Sequence, residues 1–480
     1  MKKQAFNPYL PQCEYIPDGE PYVFGDRVYV YGSHDRFNFP MFCMNDYVCY
    51  SAPLDDLSDW RYEGVIYRKN QDPKNKLGLR LLFAPDVAVG CDGRYYLYYA
   101  FDFMGIMSVA VSDAPAGPYE FYGHVHYKDG TVWGRKKGDS FPFNPGVLVD
   151  DDGSVYLYSG FYTPVPAIAT GFHRLKNEGG YVLELEQDMV TIKTPEKLLF
   201  PKEGEGAFKD HEFFEASSIR KYDGKYYFVY SSRHNHELCY AVSDSPTEGF
   251  VYKGTLVSNA DIFPENGMSE KEAKNYIGNN HGGMLQIRDQ YYIFYHRQTN
   301  RNSYSRQACA EKLVRDENGG FLQAEMTSCG LNDGALKGEG IYEARIACNL
   351  RAKDGTGRYD VGNPKKLLKE HPYITQDKKD GDESARQYIA NMRDGAVAGF
   401  RYFEITEPTS ITVWLNGTGK GEMQVSDTAD FRKSVHISVE VDSQNMKCFQ
   451  AELPEIYGKS ALYFKYVGEG SVDFYQFELR

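Results

Sequence analysis

The sequence lacks the apolar segments that membrane insertion or secretion requires. No run of residues is long and apolar enough to span a bilayer as a helix. The first residues, MKKQAFNPYLPQ, contain two lysines but none of the apolar core that a secretory signal has. We therefore expect a cytoplasmic protein that has no membrane partner.

Basic residues are fewer than acidic residues. The chain has 54 lysine and arginine residues against 67 aspartate and glutamate residues, which gives a formal net charge of −13. Because no basic patch offsets this acidic excess, a nucleic-acid partner is not expected. The negative charge mainly indicates solubility.

The sequence shows neither the cysteine spacing of a disulfide or metal-binding protein nor the periodicity of long helices. The nine cysteines are scattered and odd in number, and none has the spacing of a metal site. We expect buried free thiols, as in a cytoplasmic protein. No long helical period occurs, whereas 40 tyrosines, 29 phenylalanines and 46 glycines favour an all-β chain.

The chain contains instead a hairpin that recurs five times. Each copy has a turn followed by an aromatic strand, as in CDGRYYLYYA and YDGKYYFVYSS. The turns lie at Gly25, Gly93, Gly153, Gly224 and Gln290, at intervals of 68, 60, 71 and 66 residues. A unit of this length suits the four antiparallel strands of one propeller blade. The repeat predicts a five-bladed β-propeller over residues 1–334, with a long β-sandwich or barrel as the alternative.

A second unit is expected after the propeller. The segment LNDGALKGEG near residue 335 is polar and rich in glycine, which is typical of a linker. Seven short alternating strands follow, and they predict a jelly-roll-like β-sandwich over residues 335–480. The ending, ALYFKYVGEGSVDFYQFEL, resembles the final strands of carbohydrate-binding modules of family 6. The predicted fold class is all-β, a five-bladed propeller followed by a sandwich.

Three carboxylates, Asp18, Asp86 and Glu215, each precede one of the repeated hairpins. Acids at equivalent places in repeats can converge on one point, and a pair of acids is what cleavage of a glycosidic bond needs. A single aspartate before a hairpin usually does no more than form the turn. Three acids in matching places favour a site that cleaves glycosidic bonds.

The motifs around these acids resemble those of glycoside hydrolase family 43, five-bladed propeller enzymes that cut arabinofuranosyl, xylosyl and related linkages. Asp18 lies in PDGEPYVFGDRVYVYGSHD, Asp86 in FAPD and Glu215 in FEASS. The resemblance implies that Asp18 is the general base and that Glu215 is the general acid. It implies that Asp86 modulates the pKa of the acid and orients it.

One of these motifs departs from the family pattern. The family has proline after the base, whereas this chain has Gly19. Glu20 is therefore an alternative candidate for the base, and Glu212 is an alternative for the acid.

The resemblance extends to two basic residues. His281, in Asn280-His281-Gly282-Gly283, matches a family histidine near the propeller axis that contacts a water or a calcium ion. No cofactor is required by this assignment, and a structural calcium ion is compatible with it. Arg306, in SYSRQACAEKL, matches a family arginine that steers the sugar or the second acid. A turn histidine and a solvated strand arginine are the alternative interpretations.

Aromatic side chains near the acids are candidates for the walls of a sugar site. Phe83 and Phe37, together with Phe39 and Phe141, can pack against a sugar ring, although each is equally typical of a core position. His34 and His296 lie at the ends of inner hairpin strands, and each is expected either behind the residues that contact the sugar or at the rim of the site.

These observations predict an inverting exo-glycosidase that releases arabinofuranosyl or xylosyl units from plant-derived oligosaccharides. The base must be ionised to accept a proton from water, and the acid must stay protonated to supply one. A galactofuranosidase, an endo-arabinanase and a sugar-binding propeller without catalysis are the alternatives. Nothing in the sequence indicates an oligomeric state.

Overall fold

The computed structural model describes residues 3–359, 367–407, 409–453 and 456–480. Within these ranges the longer secondary-structure elements are all β-strands, as predicted, and the only α-helix is the single turn Leu367–Glu370. The short 3-10 helices are Pro73–Asn75, Gly206–Phe208, Pro264–Asn266, Glu270–Glu272 and Ala344–Ile346. No helix in the described ranges has the length and apolar character needed to cross a membrane.

The first twenty strands form five antiparallel sheets of four strands, which confirms the predicted five blades. Blade one contains β1 to β4, which are Glu20–Phe24, Arg27–Tyr31, Tyr47–Pro53 and Arg61–Tyr67. Blade two contains β5 to β8, which are Asp86–Val89, Tyr95–Ala100, Met107–Ser112 and Glu120–His124. Blade three contains β9 to β12, which are Gly146–Val149, Val155–Gly160, Gly179–Leu185 and Ile192–Pro201.

The two remaining blades repeat this order. Blade four contains β13 to β16, which are Phe213–Tyr222, Lys225–Ser232, Leu238–Ser243 and Val251–Val257. Blade five contains β17 to β20, which are Met284–Ile287, Gln290–Gln298, Arg306–Arg315 and Phe321–Leu322. Strand order within every blade follows the sequence.

The aromatic strands of the repeat hold neighbouring blades together. In β6, Tyr96 and Tyr98 pack into a core shared with Leu157 of blade three, whereas Tyr99 belongs to a core shared with Tyr31 of blade one. Successive side chains of a strand point to opposite faces of its sheet, and each blade packs between two neighbouring blades. Both faces of an inner strand are therefore apolar. This is the reason that YYLYY is a continuous apolar run rather than an alternating one.

The ring closes between blades one and five. Gly19, just before β1, and Gly282, just before β17, form a parallel bridge. The N-terminal segment adds to the closure, because the Asn7 side chain donates to the Ala310 carbonyl (2.9 Å) and accepts from its N–H (3.0 Å). These contacts tie the start of the chain to the third strand of blade five.

The C-terminal part is one network of nine strands that curls around its own core. Strands β21 to β29 are Leu336–Lys337, Gly340–Glu343, Asn349–Arg351, Tyr373–Gln376, Gln387–Met392, Val397–Ile405, Ser410–Ser426, Val435–Glu452 and Gly458–Leu479. Phe400, Phe464, Phe474 and Phe477 meet in the middle of this core. Seven short strands were expected, but β27, β28 and β29 are continuous over 17, 18 and 22 residues.

The C-terminal part contacts the propeller through buried polar bonds. The guanidinium of Arg401 donates to Asp261 of the propeller at 2.6 Å, and Tyr15 of the propeller donates to Gln376 at 2.6 Å. The division at residues 334 and 335 stays a prediction. The nine cysteines are all free, and six of them are buried.

Candidate active site

A cavity of about 680 Å³ lies where the inner strands of the five blades begin. Residues of every blade line it, and Tyr359 of the C-terminal part completes the wall. Its polar residues include two of the predicted acids, Asp18 and Glu215, and both predicted basic residues, His281 and Arg306. Asn144 and His236 also line it, as do Asp102, Thr163, Asn279 and Ser303. The structure therefore brings Asp18, Glu215, His281 and Arg306 together, as the sequence predicted.

Asp18 is presented to the cavity by a tight turn before β1. Its φ angle is +59°, a left-handed conformation that aspartate tolerates better than most residues, and Gly19 follows it. Asp18 is 4% exposed, and its carboxylate accepts a hydrogen bond of 2.8 Å from Nη1 of Arg306. The turn thus holds one buried carboxylate oxygen against a cation.

The turn is fixed by His296, which was expected either behind the residues that contact the sugar or at the rim. The N–H of Asp18 donates to Nδ1 of His296 at 3.3 Å, and Nε2 of His296 lies 2.8 Å from the Asn279 carbonyl. Burial and the charge of Arg306 lower the pKa of His296 to about 3. His296 is therefore neutral, with its proton on Nε2, and it orients the backbone of Asp18.

Arg306 keeps Asp18 ionised. Burial alone would raise the pKa of the Asp18 carboxyl, but the charge of Arg306, with smaller contributions from other neighbours, holds that pKa below its usual value. Arg306 is itself held by the buried carboxylate of Asp35, which accepts from Nε at 2.8 Å and from Nη2 at 2.9 Å. This two-point contact fixes the plane of the guanidinium. Asp35 was not among the residues predicted from the sequence.

Glu215 points into the cavity because β13 contains a bulge. The pairing of β13 with β14 shifts register on both sides of Glu215, and Ala216 has a φ angle of +69°. Burial raises the pKa of the Glu215 carboxyl to about 7, and the negative charge of Asp18 contributes in the same direction. The two acids thus have pKa values displaced in opposite directions, which is the condition that an acid–base pair needs.

Asp86 lies deeper than the two acids of the cavity wall. It is fully buried, and it accepts from the Tyr22 hydroxyl at 2.5 Å and from the Val147 N–H at 2.7 Å. Burial and the negative charge of Glu20 raise the pKa of Asp86 to about 7. The groups that shift the pKa of Glu215 are instead residues of the cavity itself. The role of Asp86 as a pKa modulator stays a prediction.

Asn144 is the polar neighbour of Glu215 that the sequence reasoning missed. Its Nδ2 donates to Oε2 of Glu215 at 3.2 Å, and its φ angle is +48°. A signal for it was present in the sequence. In every blade one residue of the cavity wall stands eight positions before an aspartate of the first hairpin turn. These five residues are Asp18, Ala84, Asn144, Glu215 and His281. Asp86 stands two positions beyond this place.

The two alternative acids have other environments. Glu20 is fully buried below the cavity, where its Oε2 accepts from Arg220 at 2.6 Å and from Ser218 at 2.9 Å. Glu212 does not line the cavity, and its carboxylate lies 3.3 Å from Nε2 of His234. The geometry supports Asp18 and Glu215 over both alternatives.

The two glycines after His281 allow close packing beside it. A side chain on Gly282 would lie 1.8 Å from the Phe294 carbonyl oxygen, so only glycine allows this close approach. Nε2 of His281 is buried 3.7 Å from Oε1 of Glu20, and neither atom has a hydrogen-bond partner in the described part of the chain. Burial would lower the pKa of His281, but Glu20 and the other acids raise it above its usual value.

The described residues do not form a calcium cage on their own. Calcium takes about six to eight oxygen ligands, whereas His281 and Glu20 offer one nitrogen and one carboxylate. No group of three or more histidine, cysteine, aspartate or glutamate side chains within the described ranges could hold a metal. A calcium or water contact of His281 stays a prediction.

Phenylalanine side chains make up most of the apolar wall. Phe83 is among them, as predicted, and the others are Phe42, Phe103, Phe143, Phe161 and Phe214. Phe37 lies outside the wall, stacked on Tyr15 at 5.2 Å, and Phe141 is a core residue. His34 is also outside, where it contacts the Asp46 carbonyl at 2.9 Å.

Comparison with known proteins agrees with this geometry. The model of glycosyl hydrolases family 43 matches residues 14–321, which include Asp18, Glu215, His281 and Arg306. The chain belongs to glycosyl hydrolases family 43. It is therefore a glycoside hydrolase.

Two curated relatives carry similar names. A protein of Thermoclostridium stercorarium named xylosidase/arabinosidase is 48% identical over 100% of this chain and 99% of its own length. Xylosidase/arabinosidase 43A of Humicola insolens is 33% identical over 51% of this chain and 80% of its own length.

Solved structures share the fold. A family 43 arabinoxylan arabinofuranohydrolase from Bacillus subtilis, in complex with cellotetraose, is 21% identical with a TM-score of 0.53 and covers 98% of this chain and 97% of its own. A family 43 β-xylosidase/α-arabinofuranosidase from a compost metagenome, in complex with xylotriose, is 24% identical. Its TM-score is 0.51, with 68% of this chain and 98% of its own covered.

Proposed function

We propose that this enzyme is an inverting exo-glycosidase that releases xylosyl or arabinofuranosyl units from plant-derived oligosaccharides. The observation that carries the proposal is the pair of acids in one cavity with opposite pKa displacements. The pKa of Asp18 is lowered, and the pKa of Glu215 is raised to about 7. At neutral pH Asp18 is therefore ionised, and Glu215 is protonated in a fraction of the enzyme molecules.

The chemistry follows from these protonation states. The sugar at the reacting position lies between Asp18 of blade one and Glu215 of blade four. Asp18 takes a proton from a water that attacks the anomeric carbon, while Glu215 gives its proton to the oxygen of the leaving group. Inversion needs a separation of about 6.5–9.5 Å between the two carboxyl groups so that this water fits between base and sugar. The placement of the acids on different blades supports such a separation.

The shape of the cavity supports action on chain ends. Loops of all five blades surround it, and Tyr359 adds a wall from the C-terminal part. A site enclosed in this way receives a chain end more readily than the middle of a polymer. The choice of sugar rests on the relative that is 48% identical over the whole chain and is named a xylosidase/arabinosidase. A cytoplasmic location stays a prediction and is compatible with small imported oligosaccharides.

A panel of 4-nitrophenyl glycosides tests the proposal. We expect hydrolysis of the β-xylopyranoside, the α-arabinofuranoside or both, and release of single sugars from xylotriose or arabinotriose from the first turnover. Asp18→Asn and Glu215→Gln proteins serve as controls for contaminating activity. Hydrolysis of the β-galactofuranoside alone would favour a galactofuranosidase. Binding of oligosaccharides without any hydrolysis would show a sugar-binding propeller.

A further inference from the structure

A short segment of the C-terminal part runs beside the propeller next to the cavity. Arg358 forms a parallel bridge with Ile277, which lies just before blade five. The N–H of Ile277 donates to the Gly357 carbonyl at 3.1 Å, and the N–H of Tyr359 donates to the Ile277 carbonyl at 2.8 Å. The backbone on both sides of Arg358 is therefore fixed to the propeller.

The side chain of Arg358 reaches the loop between β14 and β15 of blade four. Its Nη2 donates to the His234 carbonyl at 2.9 Å and also to the side chain of Asn235. Glu270, in the connection between blades four and five, holds the same guanidinium through an ion pair. One arginine of the C-terminal part thus joins two segments of the propeller.

The residue after this contact is His236, which lines the cavity. Its φ angle is +55°, and its ring lies edge-on to Phe214 with centroids 4.6 Å apart. Nδ1 lies 3.1 Å from Oγ of Ser231, whereas Nε2 has no hydrogen-bond partner among the described residues. Burial and the charge of Arg358 lower the pKa of His236 to about 4, so its ring is neutral. A neutral imidazole with one free ring nitrogen at a cavity wall is suited to bonding a hydroxyl group.

The position of His236 indicates which sugar it meets. In the proposed mechanism the reacting sugar lies between Asp18 and Glu215, and the leaving group lies beyond Glu215 as seen from Asp18. His236 belongs to the same blade as Glu215 and contacts Phe214, the residue before it. We propose that His236 binds a hydroxyl of the leaving-group sugar and that Arg358 is the positioning residue that holds the His236 loop in place. This inference rests on the proposed glycosidase function and assigns part of its specificity to the C-terminal part.

Two substrates that share a reacting sugar but differ in leaving group test the proposal. They are 4-nitrophenyl β-xylopyranoside and xylotriose, or the corresponding pair 4-nitrophenyl α-arabinofuranoside and arabinotriose. For His236→Ala and Arg358→Ala we expect KM for the trisaccharide to rise about three- to tenfold, the range of one lost hydrogen bond. KM for the nitrophenyl glycoside should change less than twofold. Because both variants remove the same contact, the double variant should match His236→Ala rather than multiply the two effects.

Control variants separate positioning from folding. Arg351→Ala removes an arginine of the C-terminal part whose bond is to the Ala429 carbonyl within that part, and it should leave both KM values unchanged. Arg358→Lys keeps the charge but loses the planar donor pair, so it should behave like Arg358→Ala. If the wild type hydrolyses both substrates but Arg358→Ala raises the two KM values equally, or raises neither, the inference is overturned and the proposed function stands. If the wild type hydrolyses neither substrate, both fall together.

Discussion

Replacing Asn144 by aspartate should extend activity to higher pH. In the wild type we expect a bell-shaped profile of kcat/KM, with Asp18 setting the acid limb and Glu215 setting the basic limb near its pKa of about 7. Asn144 donates a hydrogen bond of 3.2 Å to Glu215, and this bond stabilises the ionised carboxylate. An aspartate in its place removes that bond and adds a negative charge, and both changes raise the pKa of Glu215.

The size of the shift follows from the distance. Two unit charges about 4 Å apart repel by about 4 kcal/mol at an effective dielectric constant of about 20. Since one pKa unit corresponds to about 1.36 kcal/mol, the upper limit is about three units. The cations Arg306 and His281 near Glu215 reduce this value. We expect the basic limb to rise by about one to two units, as the upper titration of a coupled pair of carboxyl groups.

The assay is kcat/KM for a nitrophenyl glycoside measured across the pH range, with thermal unfolding followed in parallel. Aspartate tolerates the φ angle of +48° at this position, so the backbone should be retained. Asn144→Gly is the matched control, because it removes the hydrogen bond without adding charge and should give only a small rise. A basic limb that stays in place in Asn144→Asp, but falls in Asp86→Asn, would refute the reasoning and return the tuning of Glu215 to Asp86.

Three further results are expected. Arg306→Gln should raise the apparent pKa of the acid limb, because the main cation that lowers the pKa of Asp18 is lost. It should also destabilise the protein by about 3–5 kcal/mol, measured by urea unfolding, because the buried Asp35 loses its partner. Adding Asp35→Asn should restore the stability but should leave the acid limb at its raised pKa. Phe83→Ala should raise KM with little effect on kcat in steady-state assays, and an unchanged KM would show that Phe83 does not contact the sugar. Proton NMR of the first product should show the anomer opposite to that of the substrate, and release of the same anomer would exclude inversion.

The propeller was predictable because its information is local. Gly93, Gly153 and Gly224 have positive φ angles in hairpin turns, and the strand after each turn is apolar on both faces. The acids Asp18 and Glu215 were also found, since a carboxylate before a hairpin is visible in the sequence. Asn144 was missed because the search was for acids, although its distance of eight residues from the turn matches theirs.

The C-terminal strands were less predictable for a physical reason. The letters VGEGS in the last segment are typical of a turn, yet Gly468 and Gly470 lie within β29 and pair with Gly421 and Gly419 of β27. A side chain on Gly421 would lie 2.2 Å from the Val467 carbonyl oxygen, so glycine here serves close approach of two strands. His236 and Tyr359 reach the cavity through contacts between distant segments, which no local pattern records.

The most direct test of the acid–base assignment compares leaving groups in the two acid variants. For the sugar that the wild type releases, kcat/KM is measured with a dinitrophenyl glycoside, which leaves without protonation, and with the trisaccharide. In Glu215→Gln, kcat/KM should fall about 10²- to 10⁴-fold for the trisaccharide and far less for the dinitrophenyl glycoside. In Asp18→Asn, kcat/KM should fall by a similar factor for both substrates. Equal losses on both substrates in Glu215→Gln, or selective rescue of Asp18→Asn by the better leaving group, would contradict the assignment.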